Sequence, residues 1–169
     1  GYAALGATTT GGNNTGVGYN TLLANTTGDS HTAIGYNALA AVTTSVGNTA
    51  VGTNAGDAIT TGASNSAVGY NCLTTLTTGS YNVAMGQDAA NAMLGGSGNV
   101  AIGREAGKAQ TTGNYNVVIG HATGANNGPM TSASNNVIIG AYSDPDAVDA
   151  VHQIVLGYDA TGAGDNYFT

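Results

Sequence analysis

An aliphatic residue followed by glycine recurs along this chain at a spacing that leaves little choice of fold. The pairs are Leu5-Gly6, Val17-Gly18, Ile34-Gly35, Val51-Gly52, Val68-Gly69, Met85-Gly86, Ile102-Gly103, Ile119-Gly120, Ile139-Gly140 and Leu156-Gly157. From Gly18 to Gly120 every step is 17 residues; the first step is 12, the step to Gly140 is 20, and the last is 17 again. A second glycine keeps the same period at Gly11, Gly28, Gly62, Gly79, Gly96 and Gly113, with Ser45 in the missing place. Self-similarity at a fixed period marks a repeat architecture, with each repeat one structural unit. A disordered Gly/Thr/Asn-rich chain has no reason to hold such a period.

Each column of the repeat has a physical reading. Two places before the glycine stand Ala33, Ala50, Ala67, Ala84, Ala101, Val118, Ile138 and Val155, and one place earlier Thr32, Thr49, Ser66, Val83, Val100, Val117, Val137 and Ile154. The stretch is a short strand with alternating faces. Its aliphatic member is the expected core: Val17, Ile34, Val51, Val68, Met85, Ile102, Ile119, Ile139 and Leu156. So much Gly, Thr and Asn makes helix too costly, while Asn-Thr-Thr-Gly and Thr-Thr-Gly-Ser supply turn chemistry. With no room for a crossover helix, the chain must coil so that each strand lies parallel to its equivalent one coil later. The expected fold is all-β, a parallel β-solenoid of about ten 17-residue coils over residues 1–160. Residues 161–169 break the pattern and read as the start of a following module or tail. Strand spacing makes ten coils a rod roughly 50 Å long.

A coil this short encloses little volume, which suits the small column Ala38, Ala55, Cys72, Ala89, Ala106 and Ala160. Cys72 reads as a small apolar filler there. Another column is an amide ladder of Asn14, Asn48, Asn65, Asn82, Asn99, Asn116 and Asn136, with His31 and Gln153 in equivalent places. Stacked amides can bond one another and the backbone from coil to coil.

Thr32-Ala33-Ile34-Gly35-Tyr36-Asn37-Ala38-Leu39, preceded by Asn25-Thr26-Thr27-Gly28, resembles the 17-residue repeats of bacteriophage tail fibres. Asn99-Val100-Ala101-Ile102-Gly103 is also similar to the shorter repeat in the heads of trimeric autotransporter adhesins. The resemblance spans nearly the whole chain, from about Ala3 to Ala160. It implies a left-handed β-roll in which three chains pack side by side, on a virion or, alternatively, at a bacterial cell surface. A narrow coil buries little apolar area per residue, so reinforcement by partner chains is also expected physically. Part of that contact is expected at Val83, Val100, Val117, Val137 and Ile154, where the column turns apolar.

Composition narrows the partners. Two basic residues against nine acidic ones, a formal charge of −7, argue against nucleic acid, and no apolar run is long enough for membrane insertion. A lone cysteine excludes an internal disulfide. No Ser/His/Asp or Cys/His arrangement stands out, no cofactor is implied, and the expectation is a non-enzymatic fibre segment that spaces or presents a receptor-binding region. Tyr19, Tyr36 and Tyr70 share a column with Thr53, Gln87, Arg104 and His121, and are candidate contacts to a cell-surface glycan or protein receptor. The irregular stretch Ala122–Asn135 is a second candidate, since loops on rigid scaffolds often carry recognition. Three weaker readings are a calcium loop at Asp144, Asp146 and Asp149, a glycosidase pair at Asp88 and Glu105, and ice binding by the threonine pairs from 9/10 to 111/112.

Overall fold

The computed structural model describes residues 1–125, 130–166 and 168. Among the described residues nine three-residue strands form one sheet: β1 (Thr15–Val17), β2 (Thr32–Ile34), β3 (Thr49–Val51), β4 (Ser66–Val68), β5 (Val83–Met85), β6 (Val100–Ile102), β7 (Val117–Ile119), β8 (Val137–Ile139) and β9 (Ile154–Leu156). The sheet runs in sequence order from β1 to β9, every pair parallel. Repeat-equivalent residues are partners, as in Ala33↔Ala50 and Ala50↔Ala67. The longer coil keeps this rule, pairing Val117 with Val137. The chain is therefore a parallel β-solenoid with a coil of about 17 residues.

The start of the chain departs from the expected column. Leu5-Gly6 carries no strand. Instead the Tyr2 ring stacks on Tyr19, and the Leu5 amide donates to the Thr21 carbonyl. Gly1 and Tyr2 thus occupy the places of Gly18 and Tyr19, a full 17 residues on. The 12-residue step therefore belongs to a Leu-Gly pair that lies outside the column. At the other end, bridges join Asp144 to Thr161 and Ile154 to Phe168, so the irregular tail still lies along the last coils.

The strand faces are the reverse of the expected ones. Val17 is 56% exposed and Met85 48%, and Ile34, Ile139 and Leu156 are exposed too. Val51, Val68, Ile102 and Ile119 are half-buried. The buried member of each strand from β2 to β9 is the central one: Ala33, Ala50, Ala67, Ala84, Ala101, Val118, Ile138 and Val155. The physical reason is space. From β2 to β6 the inner face of the strand meets the small column Ala38, Ala55, Cys72, Ala89 and Ala106 across a slot that suits a methyl group, so larger side chains go outward; from β7 to β9 the inner position is filled by Val118, Ile138 and Val155. Bulk enters the core from the far end of each coil, through Leu22, Leu39 and Leu73 and through Val42, Ile59, Leu76, Met93 and Met130.

The turns are built from left-handed residues. Asn20, Asn37, Asn54 and Asn71 have φ of 52–56°, and Asp88 and Glu105 follow at 55° and 59°. Asn and Asp accept this region more readily than other side chains. Leu22, Leu39 and Leu73 share it at 51–53°, a strain of roughly 1 kcal/mol each. Burial of the leucine offsets that strain, as does its amide bond to the next coil, for example Leu39 N–H to Ala55 C=O at 3.1 Å.

At the corner after each strand only glycine fits. Gly69 has φ +141°, and a β-carbon there would lie 2.5 Å from the Gly86 carbonyl oxygen of the next coil. Both objections are backbone against backbone, so no side-chain adjustment relieves them. Gly69→Ala should cost at least about 2–3 kcal/mol and lower the thermal midpoint followed by circular dichroism. Thr44→Ala, on an exposed turn, should leave the midpoint almost unchanged.

Candidate functional site

Behind the sheet lies the amide column, and it is buried from Asn48 to Asn136. The Oδ1 of Asn65 accepts both the backbone N–H of Asn82 at 3.0 Å and its Nδ2 at 3.0 Å. Asn82 Nδ2 also donates to the Gly96 carbonyl at 2.8 Å. The same three bonds recur at Asn99 and Asn116, and across the longer coil at Asn136, where Ala150 supplies the carbonyl. Asn14 begins the column by accepting the His31 N–H, and Gln153 closes it by donating its N–H to Asn136. Every amide is committed to the interior, so the column serves cohesion rather than ligand binding. Asn82→Ala should orphan the Gly96 carbonyl and the Asn99 N–H, a loss of roughly 2–5 kcal/mol measurable by denaturant unfolding.

His31 is the one ring in this column. Its Nε2 lies 2.9 Å from the Ser45 carbonyl, and its Nδ1 accepts the Asn48 N–H at 3.1 Å. That arrangement suits the neutral ring with its proton on Nε2, because a protonated Nδ1 would face a donor. Burial pushes the His31 pKa below the ordinary imidazole range, outweighing the Ser45 carbonyl and the nearby Asp29 carboxylate, which favour the cation. The unfolded chain then binds the proton more readily than the folded one. Stability is full above the unfolded value of about 6.5 and falls as pH drops below it. His31→Asn, which restores the regular ladder, should flatten this acid-side decline in a series of melts between neutral and mildly acidic pH.

Cys72 packs in the small column, and burial pushes its thiol up to about 12, well away from reactivity. The tyrosine column runs along the outer corner. Tyr2, Tyr19 and Tyr36 form a continuous stack with ring centroids 5.5 Å apart; Tyr70 stands in the same column beyond exposed Thr53. Beside it, Asn37 Nδ2 donates to Asn54 Oδ1 at 3.4 Å, and Asn54 Nδ2 to Asn71 Oδ1 at 3.1 Å.

Farther along that corner stand both cations. Arg104 pairs with Glu105 at 2.8 Å, and Lys108 reaches the same carboxylate at 3.9 Å. Asp88, one coil earlier, accepts from Gln87. No cavity surrounds this pair among the described residues. The three aspartates of the suspected calcium loop do not converge: Asp144 is buried, Asp146 is exposed and bonded to Gln153, and Asp149 is exposed. Among the described residues no three His, Cys, Asp or Glu side chains come together as a metal site.

The irregular stretch is mostly in the coil. Thr123, Gly124, Met130 and Ala133 are buried, and the Gly124 amide donates to Ser143 at 2.8 Å. Residues 126–129 lie outside the described residues.

The sequence placed only half of the outer sheet face, with the first strand residues expected at a partner contact and the third in the core. First and third residues of each strand point outward together, so Val83, Val100, Val117, Val137 and Ile154 flank Met85, Ile102, Ile119, Ile139 and Leu156. Two adjacent apolar columns thus cover the outside of the sheet from β5 to β9. The signal was present in the central residue, alanine in every strand from β2 to β6, which a narrow interior favours. No helix among the described residues is long and apolar enough to cross a membrane. No protein-family model, curated protein or solved structure matches the chain.

Proposed function

We propose that this chain is a structural and adhesive fibre segment, a left-handed roll associated as a homotrimer in a phage tail fibre, which spaces or presents a host-receptor-binding region. The observation that carries this reading is the two-column apolar face on the outside of the sheet. Contiguous apolar strips of that length are rarely left to water, and identical chains offer one another the same strip in the same register. The tail-fibre assignment and the three-fold packing rest on the repeat resemblance, as does the alternative of a bacterial surface adhesin head.

An ice-binding solenoid draws on one observation, the exposed rank of Thr10, Thr27, Thr44, Thr61, Thr78 and Thr112. Its neighbours are spent on cohesion: the hydroxyls of Thr26, Thr43 and Thr60 each donate to a carbonyl of the next coil. One free file of hydroxyls is a poor match to a two-dimensional lattice, so the fibre reading is preferred.

Light scattering on the eluting protein tests the fibre reading. The expected mass is three times the 16.4 kDa chain. Val117→Glu, on the outer face of β7, should drop the mass to a single chain while the strand signal in circular dichroism persists. A clean monomer for the unaltered chain would overturn the proposal.

A further inference from the structure

We infer that the break in the tyrosine ladder at Thr53 is a binding slot for one pyranose ring of a glycan. The ladder stacks ring on ring through Tyr2, Tyr19 and Tyr36, then misses a single rung, beyond which Tyr70 stands in the same column. Tyr36 and Tyr70 are 49% and 52% exposed, and Thr53 between them is exposed as well. Both tyrosines follow corner glycines of the same conformation, φ +132° at Gly35 and +141° at Gly69, so the backbone presents them alike.

Two coils at strand spacing place these side chains roughly 10 Å apart. A flat ring midway would sit about 5 Å from each, inside the 4.5–7 Å range of favourable offset stacking. The Tyr19–Tyr36 stack, with centroids at 5.5 Å, shows the geometry such a guest would continue. The missing rung is the width of one ring.

The chemistry of the slot selects the guest. It is bracketed by Tyr36 and Tyr70, with the exposed Thr53 between them and the amide file Asn37, Asn54 and Asn71 alongside. The file uses one N–H of Asn54, and a primary amide carries two. A ring with apolar faces and a hydroxylated rim matches all three surfaces; a purely aromatic guest would leave the polar ones unused. No charged residue stands in either column from Tyr19 to Asn71, which points to a neutral sugar. The slot deepens the fibre reading by giving its receptor a chemistry, but it does not require the trimer.

Saturation-transfer NMR on the intact chain tests the slot, using methyl β-glucoside, methyl β-galactoside, methyl β-N-acetylglucosaminide, methyl α-mannoside and, as an aromatic comparator, p-cresol. Transfer to ring C–H protons of at least one pyranoside is expected. Thr53→Tyr completes the stack and should abolish the transfer without lowering the melting temperature. Tyr70→Ala should weaken binding at least about fivefold, the worth of one stacking face, while Tyr2→Ala should change nothing. No transfer to any pyranoside, transfer that survives Thr53→Tyr, or transfer to p-cresol alone would each overturn the inference. Sugar binding by a monomer would defeat the trimer and leave the slot standing; a trimer blind to sugars would do the reverse.

Discussion

Everything in this molecule depends on backbone meeting backbone at the corner glycines. Successive coils can stack at sheet spacing only if nothing projects between them where the chain turns out of the strand. From Gly18 to Gly157 that corner lies at φ of 130–148°, a region closed to other residues. Each coil then settles on the next in register, and the remaining columns become ladders. Asparagine can stack on asparagine, and tyrosine on tyrosine, because the glycines hold the pitch constant.

A close-stacked coil of this size cannot have an ordinary core. Its interior is divided between alanine, valine or isoleucine behind the strand and larger aliphatic side chains or methionine at the far end. The buried amides between them do what apolar bulk does elsewhere, satisfying carbonyls and amides that a thin interior would otherwise strand. Burying a file of polar side chains is favourable only when every member has its partners. His31 shows the consequence of a substitution in that file: the ring fits, but only while neutral.

Much of this architecture was legible in the sequence, because a period of 17 written through so many positions constrains topology strongly. Strand positions, parallel register, the amide column and the small column could all be read from spacing. The direction of the strand faces could not. In a three-residue strand the outer two side chains share a face, and hydrophobicity favoured them over alanine. Only the width of the interior, a property of the closed coil, decides that alanine goes in. The first coil is deceptive for a related reason: Leu5-Gly6 imitates the corner motif locally, and only pairing with the following coil reveals its true place. The tyrosine file was visible as a column, whereas its broken stack became meaningful only once the rings were seen to lie face to face.

The nine strands make contact only with their immediate neighbours in sequence order. Such a chain resembles a one-dimensional crystal whose unit cell is written in the gene. Loss or gain of one complete unit by recombination would change rod length by a single strand spacing and leave every column aligned. A fractional unit would instead throw all later columns onto the wrong faces. The longer coil between Gly120 and Gly140 avoids that penalty, since Val117 still pairs with Val137 and the later columns stay aligned. Length is thus a freely evolvable trait of this fold, while register is not.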